Sequence, residues 1–206
     1  YGAVDFYREA LENGVKPVIG CEMYVAPDMK EKTFAGKEYA HLVLLAKDNE
    51  GYGNLMRLVS LGFTEGFYYK PRIDYRALKR HAKGLVCLSA CLAGDIPQCI
   101  LKNDAEGARA HIRNLKDVFG ADFYLELQDN GIPEQKKVNE ALIALSRETG
   151  VPLVATNDVH YVRREDAEAQ DVLLCIQTAR YVDEEDRLRF GTDEFYLKSR
   201  EEMEER

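Results

Sequence analysis

The chain has no long apolar stretch, no signal-like start and little cysteine. No apolar run among its 206 residues approaches the ~20 that a membrane-spanning helix needs. The first residues, YGAVDFYREALENG, are amphipathic and charged, unlike a signal peptide, and they lack an initiator Met. Five cysteines are scattered without the spacing of a disulfide framework, and an odd number cannot all pair. These absences predict a fragment of a cytoplasmic protein with reduced thiols and no membrane contact.

Acidic residues outnumber basic ones, 36 to 28. The net charge of -8 argues against a domain whose main task is to grip nucleic acid. Residues 68–83, YYKPRIDYRALKRHAK, are a local exception, because basic and aromatic side chains alternate there. This segment is either a phosphate-contacting patch or a solvated helix face. Its candidate contacts are Lys70, Arg72, Arg76, Lys79 and Arg80. The acidic stretch from Asp183 is expected to be solvated.

Helical and strand patterns alternate along the chain. Apolar residues recur at helical spacing from Ala3 to Leu11, and Gly14 is placed to end that helix. Asn49 and Asp104 are predicted helix caps, Pro133 and Gly150 bound a further helix, and another runs through Val172, Leu173 and Ile176. Strands are predicted at 16–25, 41–47, 85–89, 123–127 and 153–156. The alternation predicts one α/β domain with a mainly parallel sheet.

A barrel fits this alternation best. No GxGxxG follows a strand, which removes support for a dinucleotide-binding fold. The first helix has no strand before it, although a βα unit needs one. Since (β/α) barrels typically run to ~250 residues, the pattern predicts a barrel whose N-terminal piece lies upstream of Tyr1.

Polar side chains collect where the predicted strands end. Glu22 lies in the first strand, Cys91 follows LVCLSA, and Asp158 and His160 follow LVAT. His41 instead begins its strand. Barrel active sites form at the C-terminal ends of strands, and this mixed oxygen, nitrogen and sulfur set suits zinc, iron or manganese. The alternatives are a paired structural carboxylate for Glu22, a core histidine for His41 and an inert core thiol for Cys91.

Seven stretches together carry a family resemblance that covers nearly the whole chain. They are KPVIGCEMYVAP, HLVLLAKDNEGYGNLMRLVS, EGFYYKPRID, GLVCLSACLAGDIP, FYLELQDNGIPEQKKVNEAL, LVATNDVHY and DEFYLKS. In this order they resemble the N-terminal PHP domain of bacterial DNA polymerase III α subunits. No inserted exonuclease interrupts the run, which makes it similar to the DnaE type rather than the PolC type. The EQKKVNEAL and ATNDVHY stretches resemble the main replicative form.

The resemblance implies a PHP-type distorted (β/α) barrel, truncated at its N-terminus, across residues 1–206. The exit toward the polymerase core would begin at about residues 183–206. By resemblance the metal ligands are Glu22, His41, Cys91, Asp158 and His160, and the family's earlier His-x-His and Asp-His ligands would lie upstream. Two positions depart from relatives that carry histidine, Asn130 and Gln170, and neither is counted as a ligand.

Two roles follow from the resemblance for this segment. It is either a 3′–5′ exonuclease or phosphoesterase with a Zn, Mn or Fe cluster, or a scaffold that docks the proofreading exonuclease subunit. The parent would be a nucleotidyltransferase that contacts DNA and the sliding clamp, with Mg²⁺ held in a palm domain that this chain does not resemble. The alternative is a free-standing PHP phosphatase of small molecules, for which the reading frame would stop soon after Arg206.

Overall fold

The computed structural model describes residues 2–32 and 38–205. In chain order its regular elements are α1 (Ala3–Glu12), β1 (Gly20–Val25), β2 (Ala40–Ala46), α2 (Asn49–Thr64), β3 (Phe67–Tyr68), β4 (Lys70–Ile73), α3 (Tyr75–Arg80), β5 (Leu85–Leu88), α4 (Asp95–Leu101), α5 (Ala105–Phe119), β6 (Phe123–Gln128), α6 (Pro133–Thr149), β7 (Leu153–Thr156), α7 (Ala167–Thr178) and α8 (Arg200–Glu204). Within the described part of the chain, no helix is both long enough and apolar enough to span a membrane.

One seven-stranded mixed sheet organises the domain, in the order β3-β4-β1-β2-β5-β6-β7. The β1–β4, β5–β6 and β6–β7 pairs are parallel. The β1–β2, β2–β5 and β3–β4 pairs are antiparallel. The expectation of a mainly parallel sheet was therefore wrong in this respect. The α/β alternation is confirmed, but the 14 residues from 26 to 39 between β1 and β2 contain no helix in their described part.

The core lies between the helices and one face of the sheet. Leu44, Cys87 and Leu125 point from three central strands into the same cluster as Leu58 of α2 and Ile112 of α5. Each such buried aliphatic side chain contributes about 1.5–3 kcal/mol to folding. Because side chains alternate along a strand, the neighbours of these core residues face the other way. That opposite face carries Glu22, His41 and Glu126 and contains the candidate site.

Most predicted elements are present, and the boundaries of the predicted strands shift by at most four residues. The first strand begins at Gly20 rather than Lys16. The cap of α2 is Asp48, whose carboxylate accepts the Gly51 N–H at 2.8 Å, and not Asn49, which is already helical. The sequence pattern does not predict the β3–β4 hairpin, because strands of 2 and 4 residues are too short to show a clear apolar alternation.

A second, smaller cluster lies near the C-terminal end. Phe195 and Tyr196 are buried against Tyr161, and Tyr161 and Tyr196 form a parallel bridge. Lys198 is also buried, and its ammonium donates to Asn157 Oδ1 at 3.1 Å. The stretch 193–199 therefore packs on the domain, which corrects the expectation of a fully solvated segment from Asp183 onward.

Candidate metal centre

The antiparallel pairing of β1 and β2 explains the position of His41. Because the strands run in opposite directions, the start of β2 lies beside the end of β1, with His41 opposite Tyr24. Glu22 lies two residues before Tyr24 on the same face, and its Oε1 is 2.8 Å from His41 Nδ1. A residue that begins its strand thus reaches the same edge as residues that end theirs.

Cys91 reaches this edge from β5. This strand is antiparallel to β2, so its end also lies beside the start of β2. Ala90 then adopts a left-handed conformation (φ 64°), and the chain turns so that Cys91 Sγ lies 3.4 Å from His41 Nδ1. The His41 backbone N–H donates to the Ala93 carbonyl at 3.0 Å, which fixes the loop against β2.

Proton sharing joins these three side chains. The contact with Cys91, followed by that with Glu22, raises the pKa of His41 to about 10. The same hydrogen bond with His41 lowers the pKa of Glu22, against the effect of partial burial. A carboxylate oxygen and a thiol sulfur therefore both contact the same ring nitrogen, His41 Nδ1, and the contact with the carboxylate is charge-assisted.

Asp158 and His160 form a second group after β7. Asp158 has a left-handed backbone (φ 48°), a conformation that aspartate tolerates better than most residues. His160 Nδ1 donates to the Asp158 carbonyl at 2.7 Å, so Nε2 carries the lone pair of the neutral ring. The ring packs edge-on against Phe190 and Phe195, with centroids 4.8 and 5.2 Å away.

The two groups are electrostatically coupled. Burial raises the pKa of the Asp158 carboxyl, and the negative charge of Glu22 raises it further, whereas His160 and His41 act in the opposite direction. Among the described residues, no group of three or more His, Cys, Asp and Glu side chains is arranged to hold a metal as it stands. The structure thus joins Glu22, His41 and Cys91 directly, and places Asp158 and His160 within their electrostatic reach.

The donor set nevertheless fits a divalent metal. His41 Nδ1 is within hydrogen-bond distance of both Glu22 Oε1 and Cys91 Sγ, and ligand atoms release bound protons when metal binds. A buried carboxylate oxygen behind the group, Glu126 Oε2, has no well-formed hydrogen bond in the described parts of the chain. Burial raises the pKa of the Glu126 carboxyl, and a nearby cation would favour its charged form.

Comparison with known proteins identifies the family. The sequence profile of the PHP domain matches residues 1–130. The chain belongs to the PHP domain family.

Similar proteins extend this match across nearly the whole chain. The chain is 52% identical over 206 residues to a protein of Borreliella burgdorferi, 49% over 208 to one of Treponema pallidum and 50% over 207 to one of Thermus aquaticus. All three are named DNA polymerase III subunit alpha, and each alignment covers 98% of this chain. The chain spans only 17–18% of the length of these relatives, and it matches their N-terminal region.

The structure of this PHP domain also reveals polar residues that the sequence interpretation missed. Glu126 is 5% exposed and accepts hydrogen bonds from Thr156 Oγ1 and, at 3.1 Å, from Gln128 Nε2. The available signal was its position in FYLELQ, where a charged side chain alternates with core residues.

Asn130, one of the two departures from relatives, is fully buried and internally bonded. Its Nδ2 donates to the carbonyls of Asn157 and Glu194, while its Oδ1 accepts from Gln135 Nε2 at 2.9 Å. These bonds tie the β6 end to the loop that carries Asp158, which gives Asn130 a bracing role.

The basic segment 68–83 is less available than its sequence suggested. Arg72 is fully buried and donates to the carbonyls of Gly66, Met29 and Glu31, so it is removed from the phosphate-contact set. Arg76 forms 3.0 Å ion pairs with Asp74 and Asp28. Lys70 lies over the Tyr24 ring at 5.5 Å, whereas Lys79 and Arg80 are exposed on α3.

Proposed function

We propose that this chain is the metal-binding PHP segment of a replicative, DnaE-type DNA polymerase III α subunit. Its own ligands are Glu22, His41, Cys91, Asp158 and His160. The observation that carries this proposal is the meeting of three ligand-type atoms at His41 Nδ1, with distances of 2.8 Å to Glu22 Oε1 and 3.4 Å to Cys91 Sγ. The identity of about half with α subunits over 98% of the chain supports the parent assignment.

Divalent zinc, manganese or iron bound here would lower the pKa of a water molecule and neutralise a phosphoester oxygen. The chain's own residues prepare the site for that role. Glu22 orients the His41 ring, the left-handed turn at Ala90 directs Cys91 toward it, and the Asp158 carboxyl is half-buried beside them. The activity that fits is 3′–5′ exonuclease or phosphoesterase cleavage.

The parent's wider roles belong to the same proposal. The full-length protein would synthesise DNA in the cytoplasm with Mg²⁺ in a separate palm domain. It would associate with a proofreading subunit and a sliding clamp. A purely structural metal site, with a docking surface for the proofreading subunit, is the competing role for this segment. The small-molecule phosphatase is disfavoured, because the relatives that are 49–52% identical to this chain are named DNA polymerase III subunit alpha.

The test uses the full-length parent protein, whose sequence is obtained by extending the reading frame of the source gene in both directions from this chain. We expect elemental analysis to find less bound metal in Cys91→Ala and in the Asp158→Ala/His160→Ala double variant. The buried Cys175→Ala is the matched thiol control, and it should keep its metal. Full metal content in the double variant would show that the site lies elsewhere.

A phosphodiester hydrolysis assay on the same proteins separates the two roles. Metal-dependent cleavage that disappears in the ligand variants supports the hydrolase, whereas metal binding without cleavage supports the scaffold. A stop codon shortly after Arg206 in the source gene would contradict the polymerase assignment and favour the phosphatase.

A further inference from the structure

Glu126 occupies an unusual place between the two groups of the candidate site. It lies in β6, which pairs with both β5 and β7. Cys91 follows β5, and Asp158 and His160 follow β7. Any residue of β6 that bonds to both neighbouring strand ends therefore links the two groups of ligands.

Hydrogen bonds show that Glu126 makes this link. Its N–H donates to Ser89 Oγ at 2.8 Å, two residues before Cys91. Its Oε1 accepts from the hydroxyl of Thr156, the last residue of β7 and two residues before Asp158. The Ser89 N–H also donates to the Tyr124 carbonyl at 3.1 Å, so the β5 end is held to β6 at two points.

The hydrogen bonds of Glu126 do not require its negative charge. Both side-chain donors, Thr156 Oγ1 and Gln128 Nε2, bond to Oε1, and a neutral amide oxygen would accept them equally well. The other oxygen, Oε2, is buried without a well-formed hydrogen bond among the described residues, although the Ala90 N–H lies near enough to the carboxyl to lower its pKa. Burial of an incompletely bonded carboxylate is costly unless a cation lies nearby. Burial raises the pKa of the Glu126 carboxyl, and the nearby Asp158 carboxyl raises it further, so a nearby cation would favour the charged form of Glu126.

We propose that Glu126 is the positioning residue that couples the two halves of the metal site and supplies negative charge behind it. This inference rests on the proposed metal-binding function. Its backbone N–H holds Ser89, two residues before Cys91, and its carboxylate holds Thr156, two residues before Asp158. Removal of such supporting bonds typically lowers metal affinity by about 10–100-fold.

The experiment titrates the full-length, metal-free parent with Co²⁺, because a cobalt–thiolate absorption band reports Cys91 directly. Glu126→Gln keeps the volume of the side chain and an acceptor oxygen but removes the charge. Thr156→Val removes only the hydroxyl. We expect each to weaken Co²⁺ binding by about tenfold or more. Glu140→Gln, an exposed carboxylate on α6, is the charge-matched control and should bind like the unaltered protein.

The coupling is tested with Glu126→Leu, which removes the oxygen that accepts the Thr156 hydrogen bond, and with the double variant Glu126→Leu/Thr156→Val. If the two residues act through one hydrogen bond, the loss of affinity in the double variant should be clearly smaller than the product of the two single losses. Unfolding in excess chelator separates this role from a general packing role. If Glu126 positions the ligands, the variants should lose much more free energy of Co²⁺ binding than free energy of unfolding of the metal-free protein.

The outcomes distinguish this inference from the function on which it rests. Tight Co²⁺ binding in Glu126→Gln and Thr156→Val, together with loss of the band in Cys91→Ser, would overturn the role of Glu126 and leave the metal site standing. No thiolate band in the unaltered protein would overturn both. If the loss of Co²⁺ affinity is no larger than the loss of stability of the metal-free protein, Glu126 has a structural role and does not position the ligands.

Discussion

Arg72 shows how far the surroundings of one side chain decide its role. Its sequence context, among basic and aromatic residues, suggested phosphate contact. In the fold, its guanidinium lies under the Tyr68 ring, 5.4 Å from the centroid, and bonds to the carbonyls of Gly66, Met29 and Glu31. The five donors of arginine match such a carbonyl cage, and the single ammonium of lysine does not.

We expect Arg72→Ala to destabilise the domain by about 3–5 kcal/mol, because it leaves buried carbonyls without donors. Arg72→Lys should recover only part of this loss. The change in the free energy of unfolding is measured by urea unfolding of the full-length protein, with a spectroscopic signal that comes from this domain. Lys79→Ala, which removes an exposed charge from the neighbouring helix, is the control and should stay within about 0.5 kcal/mol. Equal effects of the two alanine variants would contradict the buried role of Arg72.

Among the elements, α2 is capped one residue earlier than its sequence suggested. Asp48 has extended backbone angles and accepts the Gly51 N–H, as an N-cap residue does. We expect Asp48→Ala to lower the free energy of unfolding by about 1 kcal/mol. Asn49→Ala should change it much less, since Asn49 is already helical. Thermal unfolding of both variants ranks them, and the reverse order would restore Asn49 as the cap.

The segment 193–199 has no regular secondary structure, but it packs against the loop that carries His160. Phe195 is 4% exposed, and its carbonyl accepts the His160 N–H at 2.8 Å while its ring contacts the His160 ring. Loss of this packing should free the loop that follows β7, although the side chains of the proposed ligands Asp158 and His160 are not themselves changed.

We expect Phe195→Ala to destabilise this region by about 3–5 kcal/mol, the usual cost of removing a buried phenyl ring. Hydrogen exchange at His160 and Tyr161 should accelerate more than exchange in β6, because local opening needs less free energy than global unfolding. Leu197→Ala, at a position 61% exposed in the same segment, is the matched control. Uniform acceleration across the domain would show that the segment does not act locally.

At the scale of the whole molecule, charge limits how this domain can meet nucleic acid. The chain is acidic overall, and within 68–83 only Lys79 and Arg80 remain as exposed candidate contacts on α3, because Arg76 is held by two aspartates. If α3 meets DNA in the parent protein, Lys79→Gln/Arg80→Gln should flatten the slope of log affinity against log salt. The slope should change by about 0.9 for each phosphate that the variant no longer neutralises.

Binding of a DNA duplex across a salt series measures this slope in the full-length protein. Lys102→Gln/Lys136→Gln removes two other exposed charges and is the matched control, for which the slope should not change. An unchanged slope in the α3 variant would identify this surface as a solvated helix face.

The local pattern of the chain was sufficient for most of the helices and strands. The periodicity of α5 and α6, the apolar runs of β2 and β7, and the turn at Gly150 are all short-range properties. The resemblance also identified the family, because seven motifs in order carry far more information than any one spacing.

Strand direction, by contrast, was decided only by the tertiary structure. Nothing local to β2 shows that it runs antiparallel to both β1 and β5, yet this reversal is what brings His41 to the edge that holds Glu22 and Cys91. Burial was equally invisible from the sequence. Arg72 and Glu126 are charged residues in short strands, and only the packing of distant loops and strands determines that one meets carbonyls and the other links two strand ends. The free energy of a charge depends on what surrounds it in space, and those surroundings come from residues up to 43 positions away in the chain.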